Sequence, residues 1–217
     1  MNEQSTEDYL KGIHKLGAGG ADVSTSALAR HLGIGDGSVT DKLKKLATKK
    51  LIRYVPYRGV SLTEAGRRMA VKMMRRHRLW EIFLVRHLGY GWDEVHEEAE
   101  RLEHATSDEM ERRLDDMLGN PDVDPHGEPV PSADGNLPPM KGRPLSEFLP
   151  GDVVTIVRVS DDSSAILQHT AMLGLSLNTV VTIAEKRSFD GSLVVVAGGR
   201  EKYLSREVAA SLFGEAG

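Results

Sequence analysis

The chain has 217 residues, 40% of them hydrophobic and 28% charged, with no cysteine and a formal net charge of −4. That length can bury a core in each of two or three modules, and that composition excludes disorder over most of it. The absence of cysteine excludes disulfides, thiolate metal sites and thiol nucleophiles, so any metal site must use nitrogen and oxygen donors.

The start, MNEQSTEDYL, lacks the basic and then apolar run of a signal peptide. No stretch approaches the roughly 18 apolar residues of a membrane span, so a cytoplasmic location is expected. Charge divides by position: residues 1–80 hold 16 Lys and Arg against 7 Asp and Glu, a net of +9, and residues 81–217 hold 12 against 25, a net of −13. A basic front suits a polyanion such as DNA, and an acidic remainder suits cations or solubility.

In chain order, Tyr9, Leu10, Ile13 and Leu16 have helical spacing behind a Ser5/Thr6 cap, which predicts a helix over Thr6–Leu16. Gly17, Gly19 and Gly20 break it, and STSALARHLGI reads as a capped short helix ending at Gly33. A third helix is expected from about Gly37 to Lys50, with Val39, Leu43 and Leu46 inward and Lys42, Lys44, Lys45, Lys49 and Lys50 largely outward. LIRYV and GVSLT, joined by Pro56, Tyr57 and Arg58, read as a hairpin. Three helices and a hairpin are the order of a winged helix-turn-helix, and inside the basic region they favour DNA binding over a merely soluble lysine-rich helix. Ser38, Thr40, Asp41 and Lys42 would open the helix that enters the major groove, with Arg58 at the wing tip.

A capped helix is expected from Thr63 through AGRRMAVKMMRRHRLWEIFLVRHL and another from about Trp92 to Leu118, together a helical dimerisation unit. Seven of the nine prolines fall between Pro121 and Pro144, which marks a linker or extended arm. Beyond it GDVVTIVRV, TVVTIAEK and SLVVVAG are β-branched runs of a small, SH3-like β-barrel. The fold class is therefore α+β, divided as 1–63 (winged helix-turn-helix), 64–145 (helical, metal-binding and dimerising, with the proline-rich arm) and 146–217 (SH3-like, of the FeoA type).

The run His96-Glu97-Glu98-Ala99-Glu100-Arg101-Leu102-Glu103-His104 carries the chemistry. At roughly 100° per residue, His96, Glu100, Glu103 and His104 share one arc of about 100°. His77 and Glu81 add a second pair four residues apart on the preceding helix. Imidazole with carboxylate suits Mn²⁺, Fe²⁺, Co²⁺ or Zn²⁺. An acidic, solvated helix with scattered histidines would explain one His-Glu pair but is a poor account of six residues in two motifs on two helices. Asp8 on the first helix has by itself only the meaning of a surface carboxylate.

These residues resemble the diphtheria toxin repressor family, the metal-activated repressors that include the manganese transport regulators. STEDYL, MRRHRLWE, VHEEAERLEHATSDEMERRL and DPHGEPVP carry the resemblance, in family order across nearly the whole chain. It implies a homodimer that binds double-stranded operator DNA when metal is bound, with metal uptake genes as natural targets. It makes Asp8, Glu100, Glu103 and His104 ligands of one site with His77 shared or adjacent, and His77, Glu81 and His96 ligands of another. Glu100 and Asp8 stand where iron-responsive members have cysteine and methionine, which favours manganese over iron. Lys11 departs from the short manganese regulators, whose carboxylate at that point serves a closely spaced binuclear site; the ammonium disfavours that geometry. Asp124 and His126 match arm ligands of some three-domain members, with this Asp in place of a cysteine, and Gln168 and Asp162 are the candidates for one further oxygen from the barrel.

Two rivals are weaker. A metallohydrolase with Glu97 or Glu98 as base lacks an HExxH pair, a Ser/His/Asp arrangement or a Walker loop. A metal-indifferent winged-helix regulator sensing an organic ligand leaves the His/Glu runs unexplained, and neither membrane nor organic substrate is expected.

Overall fold

The computed structural model describes residues 3–17, 21–161 and 163–217. Gly19, Gly20 and Asp162, to which the sequence assigns a chain break and a candidate ligand, lie outside the described residues. The chain forms two units: residues 1–77, 101–108 and 131–137, and residues 78–100, 109–130 and 138–217.

The first unit opens with α1 (Glu3–Leu16), α2 (Thr25–Leu32) and α3 (Asp36–Thr48). α1 starts ahead of the expected Ser5/Thr6 cap, and Thr6 is instead buried inside the helix. α2 has the expected ends: Ser24 Oγ accepts from the Ala27 amide at 3.1 Å, and Gly33 closes the helix at φ 65°, a conformation that costs glycine nothing. α3 turns Val39, Leu43 and Leu46 into a core shared with Tyr9, Leu10, Ile13 and Leu28 of the other helices. Removing that apolar surface from water holds the three helices together.

β1 (Ile52–Val55) and β2 (Gly59–Leu62) pair antiparallel, and Tyr57 and Arg58 stand exposed at the turn between them. Val23 joins the hairpin through reciprocal backbone bonds with Val60, 2.8 and 2.9 Å long. α4 (Glu64–Leu88) follows, its first turn capped by Thr63 Oγ1, which accepts from the Gly66 amide at 3.2 Å.

The single helix expected over Trp92–Leu118 is two helices, α5 (Val95–Glu103) and α6 (Asp108–Leu118). The break has a local cause. Thr106 Oγ1 donates to the Leu102 carbonyl at 2.7 Å, while the Ala105 and Thr106 amides bond three residues back rather than four. His104 thus lies just beyond the helix end instead of within its regular arc.

In the second unit six strands form one antiparallel sheet in the order β3-β8-β4-β5-β6-β7, with β3 (Arg143–Pro144), β4 (Val153–Val159), β5 (Val180–Lys186), β6 (Leu193–Ala197), β7 (Arg200–Leu204) and β8 (Leu212–Ala216). The three β-branched runs are β4, β5 and β6; β7 and β8 have no such run and escape a sequence reading. Leu145, Phe148, Ile156, Ile183, Val195 and Leu212 fill the core with α7 (Ser164–Met172) and α8 (Arg206–Ser211) against it. Before β4, the arm reaches the sheet at His126, whose carbonyl accepts from the Val159 amide at 2.9 Å. Gly127 has φ +86°, and a Cβ there would lie 2.2 Å from the Val157 carbonyl oxygen, so glycine alone permits this approach. Among the described residues no helix is long and apolar enough to cross a membrane.

Candidate metal centre

In the first unit α1 presents Glu7, Asp8 and Lys11 toward the end of α5. The donor atoms of Asp8, Glu103 and His104 lie within 4.8 Å of one another. His104 Nε2 is 3.0 Å from Asp8 Oδ1 and 3.6 Å from Glu103 Oε1, and its other nitrogen, Nδ1, is 2.7 Å from Glu7 Oε2. Glu7 therefore fixes the ring so that Nε2 points at the carboxylates, as a carboxylate behind a metal-binding imidazole does. His77 Nδ1 lies 2.6 Å from Glu103 Oε2. Glu100 precedes Glu103 by three residues, on the same face of α5.

In the second unit Glu81 of α4 is fully buried and its two oxygens face different histidines. Oε1 is 3.4 Å from His96 Nδ1, and Oε2 is 3.7 Å from His126 Nδ1. His77 sits one turn before Glu81 on the same helix. Glu81, Asp124 and His126 bring donor atoms within 4.8 Å of one another, all three buried. Asp124 Oδ1 accepts from the His126 and Glu128 amides at 2.8 and 2.9 Å, which folds the arm back on itself. Its Oδ2 lies 3.6 Å from Arg78 Nε, and Arg78 also binds Glu128 and the Pro129 carbonyl. His126 Nε2 is 2.6 Å from the Trp92 carbonyl, an acceptor that obliges this nitrogen to donate and directs Nδ1 to Glu81. From the sheet domain Asp161 comes 3.9 Å from His96 Nδ1, whereas Gln168 is exposed on α7.

Burial and the neighbouring Glu81 raise Asp124 to about 7, against the opposing pull of His126 and Arg78. For His126 burial works against the charged ring, but Glu81, Asp124 and the Trp92 carbonyl outweigh it and push the ring up to about 9. These groups fit a divalent cation on a second ground. His104 Nε2 and His126 Nδ1 are buried and face carboxylate oxygens without a well-aligned hydrogen bond to them, and a cation would satisfy both.

The sequence reading missed Glu7, Arg78 and Asp161. Glu7 and His104 are 97 residues apart, so no spacing rule connects them. On the DNA side, Ser38 and Asp41 are exposed, Thr40 Oγ1 donates to the Asp36 carbonyl at 3.0 Å, and Arg58 is exposed on the wing. Lys42 departs from its outward reading: it is half-buried, with Nζ 5.7 Å from the centre of the Tyr9 ring. Burial, then Lys49, lower its pKa.

Three family models match in chain order: the N-terminal DNA binding domain of iron dependent repressors at residues 1–60, their metal binding and dimerisation domain at 63–132, and the FeoA domain at 143–216. The iron-dependent repressor IdeR of Mycobacterium tuberculosis is 32% identical over 234 residues, covering 96% of each chain. The chain belongs to the diphtheria toxin repressor family. The diphtheria toxin repressor of Corynebacterium glutamicum is 29% identical over 94% of this chain and 93% of its own. Among solved structures, a manganese-dependent transcriptional repressor in complex with manganese is 40% identical, with a TM-score of 0.89 over 97% of this chain and 99% of that one. The manganese regulator SloR is 31% identical, with a TM-score of 0.82 over 98% of each chain. As a member of this family the protein is a metal-dependent, DNA-binding transcriptional repressor rather than an enzyme, with a winged helix-turn-helix, a helical dimerisation domain and a C-terminal SH3-like domain.

Proposed function

We propose that this repressor answers to Mn²⁺ and that Asp8, Glu100, Glu103 and His104 form the regulatory site. The observation that carries the reading is the donor set: carboxylates and imidazole converge at the end of α5 with no sulfur among them. Such donors suit the harder divalent ions, and the solved manganese-dependent relative is 40% identical over nearly the full length. Iron is the second reading, favoured by the iron-dependent repressors at 32% identity.

His77, Glu81, His96, Asp124 and His126 are proposed as ligands of further cation binding. The working division is 1–63, 64–145 and 146–217, supported by the spans of the three family models. In the cytoplasm a homodimer would read two operator half-sites through Ser38, Thr40, Asp41, Lys42 and Arg58.

A bound divalent ion supplies positive charge shared by the surrounding carboxylates. Asp8 lies on α1, which packs directly in the core of the DNA-reading module, and Glu103 and His104 lie at the end of α5. When these residues share one counter-ion, α1 is held at one distance from that end, and dimers with the right spacing of recognition helices are selected.

Operator binding measured by anisotropy with Mn²⁺, Fe²⁺ and chelator tests the reading. Mn²⁺ should saturate binding, Glu100→Ala should abolish the response, and Glu100→Cys should shift preference toward softer ions. Full Mn²⁺ activation of Glu100→Ala would overturn the site; activation by Fe²⁺ and not Mn²⁺ would overturn the metal.

A further inference from the structure

A cation already sits in the carboxylate cluster of the first unit, and it belongs to the protein. Lys11 is one turn beyond Asp8 on α1, and its Nζ lies 2.6 Å from Glu103 Oε1 and 2.9 Å from Oε2. Glu103 is fully buried and the Lys11 side chain is 17% exposed, so the pair is largely shielded from solvent and salt. Glu103 Oε2 is also engaged by His77, while Oε1 is the oxygen that faces His104 Nε2. Both oxygens of this candidate ligand are thus claimed before any metal arrives. Clustered carboxylates should repel one another without metal, and here an ammonium offsets part of that repulsion.

We propose that Lys11 is a built-in competitor for the metal: its ammonium neutralises Glu103 in the metal-free protein and must yield at least one of the two oxygens when a cation binds. This rests on the reading that Asp8, Glu103 and His104 hold the metal. Two physical consequences follow from a fixed positive charge at this place. In the metal-free state it spares a buried carboxylate the cost of being unpaired. In the loaded state it stands beside the ion and repels it. Both lower the free energy gained on binding, so Lys11 sets the site to respond at a higher metal concentration than its donors alone would dictate.

The test uses the full-length wild type with Lys11→Met, Lys11→Arg and His104→Ala. Mn²⁺ binding is followed by calorimetry and by loss of the free-ion electron paramagnetic resonance signal, and thermal melting is recorded with and without Mn²⁺. Lys11→Met should melt lower than wild type in chelator, gain more in melting temperature from Mn²⁺, and bind at least about tenfold tighter the ion that His104→Ala removes. Lys11→Arg, which keeps the charge, should bind within about threefold of wild type. A merely structural lysine would lower stability without tightening the metal. Should Lys11→Met not fold in chelator, Lys11→Gln, whose amide still donates to Glu103, should show the same tightening. Unchanged or weaker Mn²⁺ binding in the neutral variants, with His104→Ala still losing one ion, overturns the competitor role and leaves the site standing. An undiminished ion count in His104→Ala overturns the site itself, and the proposal with it.

Discussion

The imidazoles at the two clusters are controlled by what binds their second nitrogen. Glu7 Oε2 holds His104 Nδ1 at 2.7 Å, and the Trp92 carbonyl holds His126 Nε2 at 2.6 Å. Glu7→Gln removes the charge behind His104 and should weaken Mn²⁺ binding at that site by about 10–100-fold, read by calorimetry. An unchanged affinity would show that the ring needs no such support. The second cluster should depend on pH. Asp124 is raised to about 7 and His126 to about 9, and neither can donate to a metal while protonated. A metal proposed to bind there would have to expel protons, so affinity should climb as pH rises through about 7 and on toward about 9. Calorimetry in buffers of different ionisation enthalpy counts the protons, and a count of zero at neutral pH would contradict both shifts.

Among the elements, the wing and α3 offer their proposed DNA-contacting cations unequally. Arg58 is exposed at the hairpin turn, whereas Lys42 lies half-buried over the Tyr9 ring. Arg58→Ala should therefore lower the salt slope of operator binding by roughly one unit, and Lys42→Ala by less. Equal slopes for wild type and Arg58→Ala would take the wing away from the phosphates. The arm is an element of the second cluster through its contact with β4. Gly127→Ala combines φ +86° with a Cβ 2.2 Å from the Val157 oxygen, and should cost upwards of about 1 kcal/mol in stability while weakening cation binding at the site proposed for Asp124 and His126. A variant with wild-type melting and metal binding would mean that the arm can shift without loss.

At the scale of the whole molecule, the dimer should not need metal. Leu88, Met110 and Met117 are exposed to 58%, 45% and 58% in a single copy, on the helices of the region matched by the dimerisation model. Covering such side chains is favourable with or without an ion. Sedimentation in chelator at micromolar concentration should show a dimer, and a strictly monomeric metal-free protein would make dimerisation itself the metal switch.

Periodicity and turn chemistry made most of the helical part readable from residues alone. Val39, Leu43 and Leu46 point inward because a helix repeats every 3.6 residues, and Ser24, Gly33 and Thr63 mark ends through local bonds. The same periodicity exposed His77 with Glu81, and His96 with Glu100, since each pair is one turn apart on one helix. It overran at Thr106, whose hydroxyl ends the helix by a bond that helical spacing does not reveal. β7 was illegible because alternation in REKYL is weak, although it closes a tight hairpin with β6 across Gly198 and Gly199, and β8 because its partners β3 and β4 are remote in sequence. What only the tertiary structure decided are the meetings across long separations: Glu7 with His104, Lys11 with Glu103, Arg78 with Asp124, and Asp161 with His96. Helical order carries information over a few residues, whereas charge partners are chosen by whichever surfaces packing brings together.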